Sequence, residues 1–396
     1  MIRLETQYFN LNRILLLAIG LWPYQQSNFT RFQFIFLSTT LITSLIFQCT
    51  PFISQKCTSY FVTKILSSAS IFALFVIKYN MFSVNIKAVK DLLKQLQLIC
   101  NELKDKNEFA IINEYGCNAK RCTAALIICA ICSLPVFIVA QFWSSILNNI
   151  LSINVSQPHR FLIPMEYFVD QEKYFYWILL HYNVSFCIGI TAMIGIGTTL
   201  LAYYQHTCGM FKIASYRIEH AMNSNMLQNI NFKNELLIFE GLIWAVDIHR
   251  QAMKLTKHLQ SSIQSMMFCI IVFGVASMSL NLYRIFQIIH ADDTSLDNAK
   301  ELILPILYTT VTFLYMFLSN HIGQYVTDHN HNVFVTVYNV RWYIAPLHIQ
   351  RMILFLLQRE SRDFVLNVGF FVISIEFFAT LVKTSVSYFT VMYSTQ

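Results

Sequence analysis

The last apolar segment of the chain contains the stretch TLVKTSVSYFT, residues 380–390, with a lysine at its centre. A charge near the middle of a bilayer costs several kcal/mol, so it rarely faces lipid. On a helical wheel four polar residues of the segment, Thr380, Lys383, Ser387 and Ser394, fall within about 40° of Glu376. The segment therefore predicts an apolar helix with one polar stripe, made by Glu376, Thr380, Lys383, Ser387 and Ser394.

A polar stripe at membrane depth must face other protein or water, and the sequence leaves both interpretations open. In the first, Lys383 bonds to Glu376 or to carbonyl groups and holds helices together. In the second, the stripe lines a water-filled conduit. One chain has only one such stripe, so a conduit requires several copies around an axis. Val391 would then be a candidate hydrophobic constriction.

Composition places the whole chain in a membrane. Of its 396 residues 56% are hydrophobic and 12% are charged, with a mean hydropathy of +0.50, whereas soluble domains carry about 25% charged residues. The apolar blocks predict an all-α polytopic protein, residues 1–396 forming one domain. The seven predicted spans are approximately 32–53, 60–80, 123–147, 176–204, 263–290, 302–323 and 364–393.

Lysine and arginine predict the orientation of these spans. Most of the 28 such residues fall in the N-terminus and in three polar helical segments, 81–122, 205–262 and 324–362. We therefore expect these segments and the N-terminus in the cytoplasm and the C-terminus outside. The sequon at Asn154 then lies outside and is a candidate for glycosylation. The net charge of +7 follows from this topology and does not indicate nucleic-acid binding.

Two smaller features carry separate predictions. The stretch RILLLAIGLWPY, residues 13–24, resembles a signal peptide but lacks a small-x-small cleavage site. We interpret it as an uncleaved helix at the membrane interface, with Trp22 at the level of the headgroups. Cys49 and Cys57 lie near one outer loop and could pair, but their spacing alone leaves this undecided.

Several segments resemble the insect odorant receptors, which are odorant-gated cation channels. The specific ones are Gly323-Gln324, VYNVRWYIAP at 337–346 and SIEFFATLVKTSVSYFTVM at 374–392. AIGLWPY and EYFVDQEKYFYW resemble the receptors of ants, bees and wasps in particular. Val386 departs from the tyrosine usual in this family, and QRESRD at 358–363 lacks the usual proline.

The resemblance implies a tuning subunit in the plasma membrane of sensory neurons, assembled as a heterotetramer with a shared co-receptor. It also implies a seventh helix split into an intracellular part, about 346–362, and a pore-lining part, 364–393. Val391 matches the hydrophobic gate of the family, with Ser394 and Thr395 just beyond it. The partners it implies are a volatile odorant, the co-receptor and the lipid bilayer.

The same resemblance implies an odorant pocket in the outer half of the bundle, among spans two, three, four and six. An apolar volatile needs an aromatic-lined cavity with few polar groups. Ordinary helix packing is the alternative for each residue, since aromatic side chains are common in bundles. The candidates are Ile71, Phe72, Phe137, Trp143, His181, Tyr182, Phe186, Tyr308 and Thr312.

Other functions are weaker interpretations. A gustatory-type channel for less volatile ligands would match the KTSVSYFT ending only loosely, and a G-protein-coupled receptor would need the opposite orientation. The sequence contains no phosphate-binding loop and no nucleophile elbow, so we expect neither an enzyme nor a cofactor. We also expect no metal site, because Cys129 and Cys132 lie on an apolar helix and DHNH at 328–331 has no further ligand at suitable spacing.

Overall fold

Helices make up nearly all of the computed structural model, which describes residues 7–25, 27–103, 105–150, 163–223, 232–290, 296–360 and 364–395. Within them, only the backbone is described at 140–150, 296–300 and 359–360. The helices of this part of the chain are α1 (Asn10–Ala18), α2 (Asn28–Cys49), α3 (Pro51–Ser54), α4 (Ser59–Val84), α5 (Ile86–Glu102), α6 (Lys106–Ile150), α7 (Phe175–Ala221), α8 (Phe232–Ile289), α9 (Leu296–Asn339), α10 (Leu347–Glu360) and α11 (Ile375–Ser394).

Six of these helices are long and apolar enough to cross a bilayer, namely α2, α4, α6, α7, α8 and α9. The prediction of an all-helical polytopic membrane protein is therefore confirmed. Helices α7 and α8 have 47 and 58 residues, or about 70 and 87 Å at 1.5 Å per residue. Because a hydrocarbon core is about 30 Å thick, both helices extend well beyond it without a break.

Helix α7 forms the centre of the bundle and packs against α1, α2, α4, α6, α8 and α9. Its buried residues occur along the whole helix, from Phe175 to Ala221. Packing against six other helices therefore buries more than half of its residues, while Tyr176, Trp177 and Leu180 near its start remain exposed.

The N-terminal helix packs against α7 of the bundle. In α1, Leu16 is fully buried, and Asn12 Nδ2 donates to Thr198 Oγ1 on α7 at 2.8 Å. Trp22 is only 4% exposed and packs against Tyr24. Trp22 is therefore enclosed by other side chains of this protein, whereas the position of α1 relative to the membrane interface stays a prediction.

The C-terminal part changes direction twice. A 3₁₀ turn, Trp342–Ile344, separates α9 from α10, and a two-stranded antiparallel hairpin, Asn367–Val368 with Phe371–Val372, precedes α11. Gly369 makes this turn possible with its φ of +62°. The last predicted span, 364–393, is therefore helical only from Ile375, where the Ser374 hydroxyl caps the helix by accepting from Phe377 N.

Two of the sequence predictions concern the outer loops. Cys49 and Cys57 are both free thiols on the surface, so they do not pair in this structure. Asn154 lies outside the described residues.

Candidate ligand site and pore helix

An aromatic cluster joins four helices in the predicted outer half of the bundle. Phe137 of α6 stacks on Phe186 of α7, with ring centroids 3.5 Å apart. Phe72 of α4 stacks on Tyr182 of α7 at 5.1 Å, and Tyr308 of α9 lies 6.5 Å from Phe186. Five of the nine predicted ligand residues thus lie together, from the four spans that the resemblance implied. We call them the aromatic cluster.

A short chain of polar groups runs along this cluster. The hydroxyl of Tyr182 lies 3.2 Å from that of Tyr308 and 3.3 Å from Ser68 Oγ. Ser68 Oγ in turn donates to Gln48 Oε1 on α2 at 2.8 Å. All four residues are buried. Gln48 Nε2 has no hydrogen-bond partner among the described residues, which leaves a buried donor at the end of the chain.

His181 points away from the aromatic cluster. Its Nδ1 accepts from the Tyr167 hydroxyl at 2.7 Å, and its Nε2 lies 3.2 Å from Thr43 Oγ1 on α2. Burial raises the pKa of Tyr167, so its phenol stays protonated and donates. These contacts favour the neutral Nε2–H tautomer of His181, which connects α7 to α2 and to the loop before α7.

The remaining predicted ligand residues are scattered. Ile71 is buried in the core, and Thr312 lies one turn below Tyr308 on α9 with its hydroxyl unpartnered among the described residues. The side chain of Trp143 lies outside the described residues. Phe75, Ser68 and Gln48 are not among the ligand residues that the sequence predicted. Phe75 and Ser68 could have been found, because they lie three and four residues from Phe72 and share its face of α4.

An ionic cluster lies next to the polar chain of Ser68 and Tyr308, at the outer end of the predicted bundle. Glu301 of α9 accepts from Lys64 Nζ at 2.7 Å, from the Tyr60 hydroxyl at 2.6 Å and from the Arg284 guanidinium. Arg284 is 2% exposed and lies 3.9 Å above the ring of Tyr60. A small cavity of about 20 Å³ borders Lys64, Arg284 and Glu301 as well as Ser68 and Tyr308. Helices α4, α8 and α9 are thus tied together beside the polar chain.

Helix α11 packs on only one side, against α8 and α9. Leu381 and Ser385 are its buried residues. Phe378 contacts Phe313 and Phe317 of α9. Nearer the C-terminus, both Phe389 and Tyr393 pack edge-on against Phe286 of α8.

The polar stripe lies on the opposite, exposed side of α11. Glu376, Thr380, Lys383, Ser387 and Ser394 are all exposed in the single chain. Lys383 makes no hydrogen bond or ion pair with any residue that the structure describes, so within one chain it does not join helices. Val391 is 55% exposed beside the stripe, and Thr395 is exposed as well.

A larger cavity lies deeper along α7, bounded by α6, α8 and α9. Its volume is about 380 Å³, and Phe75 of α4 is one of its lining residues. None of the nine predicted ligand residues lines it. In the part of the chain that the structure describes, no group of three or more His, Cys, Asp or Glu side chains could hold a metal ion.

Together, a bundle of apolar helices, a buried aromatic site and a final helix with an exposed polar face define a polytopic membrane receptor of the ligand-gated channel type. The sequence profile of the 7tm odorant receptor family matches residues 59–386, and the chain belongs to this family. The resemblance found in the sequence is thereby confirmed, and the chain is an odorant-binding subunit of a ligand-gated channel. The gustatory and G-protein-coupled alternatives are not favoured.

Solved structures show the same fold. The insect olfactory receptor OR5 from Machilis hrabei in complex with eugenol superimposes with a TM-score of 0.76 at 16% identity, covering 99% of each chain. The structure of OR5 from Machilis hrabei without eugenol gives a TM-score of 0.75, also at 16% identity, covering 99% of this chain and 98% of that one. A comparison with curated protein sequences finds no significant match.

Proposed function

We propose that this chain binds a volatile odorant at the aromatic cluster and that binding opens a cation pore lined by α11. The observation that carries the proposal is the meeting of five predicted side chains from α4, α6, α7 and α9. Aromatic side chains offer a large apolar surface to a small apolar ligand. The site also has the apolar lining and few polar groups typical of small-molecule sites.

The unpartnered donor of Gln48 favours odorants that carry an oxygen acceptor. A buried amide N–H without a partner costs about 1–3 kcal/mol. A ketone, ester or alcohol oxygen placed at Gln48 Nε2 would remove this cost, whereas a hydrocarbon could not. The ligand class we propose is therefore a small volatile with one oxygen function.

The path from ligand to pore passes through the outer end of α8. Arg284 faces the ionic cluster on α4 and α9, and Phe286, two residues later, faces α11. A ligand that separates α7 from α9 at Tyr308 would also pull on Glu301 and Arg284. Movement of Phe286 would then shift α11 outward at Phe389 and widen a constriction at Val391.

The pore itself requires several chains. The exposed stripe of α11, with Glu376, Lys383 and Ser387, would face the axis of a heterotetramer formed with the co-receptor. In this assembly the N-terminus lies in the cytoplasm of a sensory neuron and the C-terminus outside. The segments 81–122, 205–262 and 324–362 then form the cytoplasmic contact layer, 364–393 contains the pore helix, and Asn154 is available for glycosylation.

Currents from cells that co-express the chain with a co-receptor, across a panel of volatiles, test the proposal. Gln48→Met should raise the half-maximal concentration of oxygen-bearing volatiles by roughly tenfold, because a lost hydrogen bond is worth about 1.4 kcal/mol. Responses to matched hydrocarbons should not weaken. Gln205→Met is the control, because Gln205 lies about 28 Å further along α7 than Phe186.

Two outcomes would contradict the proposal. A complete lack of current from the wild-type chain with its co-receptor would count against the channel itself. An equal shift for hydrocarbons and oxygen-bearing volatiles in Gln48→Met would exclude Gln48 as the polar contact and leave only the aromatic side chains as ligand residues.

A further inference from the structure

A cavity between the N-terminal segment and α5 is separate from both the aromatic cluster and α11. Its volume is about 280 Å³. Three aromatic side chains of the N-terminal segment and one face of α5 line it, including Phe9, Trp22, Tyr24, Leu93, Lys94 and Leu98. The cavity opens to the surface, since Leu98 in its lining is 62% exposed. It therefore offers an outside molecule a mostly apolar wall with an ammonium group at its edge.

Two lysines of α5 supply positive charge to this cavity. Lys94 lines it and is exposed, so an incoming group can reach its ammonium directly. Lys90 lies one turn earlier on the same face of α5, with its Nζ 5.7 Å from the ring centroid of Tyr24. Neither lysine forms an ion pair with a residue that the structure describes, and this includes Asp91, which is exposed. Both charges are thus available to an anion.

The cavity lies near the predicted inner end of the bundle. The ring of Phe9 stacks on His206 of α7, with the centroids 5.4 Å apart. His206 is two residues beyond the end of the predicted span 176–204, or about 3 Å along the helix. Helix α5 begins at Ile86, just after α4 ends at Val84. Aromatic rings and lysines at this level are typical of the headgroup region of a bilayer.

We infer that this cavity binds an anionic phospholipid of the inner leaflet. The phosphate lies at the ammonium groups of Lys90 and Lys94, and an acyl chain lies against Tyr24 and Leu98. Lysine binds phosphate as a point charge, and basic side chains near the membrane attract anionic lipids. A phosphatidylcholine has the same acyl chains, but its headgroup also carries a cation, which the lysines repel. The inner leaflet follows from the proposed orientation, whereas the class of lipid follows from the cavity itself.

Photo-crosslinking in nanodiscs tests the inference. The full chain, assembled with the co-receptor, is placed in phosphatidylcholine nanodiscs that contain a trace of photoactivatable phosphatidylglycerol or of the matched photoactivatable phosphatidylcholine. Peptide mass spectrometry then locates the labelled positions. Phosphatidylglycerol should label the segments 9–24 and 86–102 roughly tenfold more than the choline lipid does.

Two double variants separate the site from the general charge of the protein. Lys90→Gln with Lys94→Gln should lower labelling of these segments by phosphatidylglycerol roughly tenfold and leave labelling by the choline lipid unchanged. Lys120→Gln with Arg121→Gln is the matched control. It removes the same charge from two exposed residues directly before the predicted span 123–147, and neither residue lines the cavity. Labelling at the cavity should stay unchanged in this control.

A pair of substitutions at Leu98 tests the mouth of the cavity. Leu98→Glu places a carboxylate beside the phosphate and should lower labelling by phosphatidylglycerol several-fold below that of Leu98→Gln. Labelling by the choline lipid should be the same in both variants. Surface expression and gel filtration establish that each variant folds, which is expected at an exposed position.

Equal labelling of the cavity by the two lipids in the wild-type assembly would overturn the inference. An equal fall in the two double variants would also overturn it, because the effect would then come from overall charge. So would phosphatidylglycerol labels confined to other segments. Both leaflets of these nanodiscs are alike, so the result does not depend on the proposed orientation, and currents evoked by volatiles test the odorant site separately.

Discussion

Helices α7 and α11 are both long and apolar, yet they are buried to opposite degrees. More than half of the 47 residues of α7 are buried, whereas only Leu381 and Ser385 are buried among the 20 of α11. Helix α7 thus completes its contacts within one chain. Helix α11 leaves polar and aromatic side chains exposed, which is the pattern of a surface that other subunits cover. The difference separates residues that hold the subunit together from residues that would function between subunits in the proposed assembly.

The largest effect on stability is expected at the ionic cluster of the bundle. Arg284→Met removes one partner of a buried ion pair and should lower the free energy of unfolding by about 3–5 kcal/mol. Lys64→Met is the control, because Lys64 is 20% exposed and should cost about 1 kcal/mol or less. Thermal unfolding of the purified receptor measures both. Equal losses would show that burial at this cluster does not matter.

The next largest loss of stability is expected where α7 packs closely against α4. A methyl group on Gly189 would lie 2.0 Å from Phe75 Cδ2, so Gly189→Ala must displace this ring. Overpacking of this kind costs about 1–3 kcal/mol. Thermal unfolding should show the loss in Gly189→Ala but not in Gly274→Ala, whose site has room. An unchanged melting temperature in Gly189→Ala would mean that the two helices separate freely.

A smaller loss of stability is expected at Tyr182 of α7, and Tyr388 of α11 is the residue to compare it with. Tyr182→Phe removes the hydroxyl between Ser68 and Tyr308 and should cost about 1 kcal/mol. Tyr388→Phe on α11 should cost nothing measurable, since Tyr388 is 57% exposed. Unfolding of the unassembled subunit measures both, and a comparable loss at Tyr388 would contradict the exposed state of α11.

The smallest effect on stability is expected at the polar stripe. Lys383→Gln should change the free energy of unfolding by less than about 0.5 kcal/mol, as at other exposed positions. If the stripe lines the pore, the same substitution should raise single-channel cation conductance, because it removes a positive charge from the wall. Lys87→Gln, at an exposed lysine of α5, should change neither quantity. A loss of stability with unchanged conductance in Lys383→Gln would favour the helix-joining interpretation instead.

The sequence predicted features that depend on the period of a single helix. The polar stripe from Glu376 to Ser394 can be predicted from a rotation of 100° per residue alone. In the structure, the residues of this stripe lie on the exposed side of α11. The same reasoning did not reveal that α1 packs on α7, because contacts with a distant helix leave no periodic signal. It also failed for the start of α11, because a two-residue strand pair at Val368 and Phe371 leaves no periodic signal.

The ligand site was only partly predictable. The resemblance implied the four helices that meet at Phe72, Phe137, Tyr182 and Tyr308, and depth in the membrane selected residues on them, but neither could show which way a side chain points. His181 has nearly the same depth as Tyr182, and it faces α2 because it lies 100° further around the helix. Phe75 was missed although its spacing from Phe72 was visible.

By itself the sequence determined the membrane class, the family and the amphipathic character of the last helix, since these follow from composition, local motifs and helical periodicity. Only the tertiary structure decided which side chains meet and where space remains. The cavity along α7 and the cavity between Trp22 and Lys94 bring together residues more than 70 positions apart. Such contacts depend on the relative depth and rotation of whole helices, which no single helix encodes.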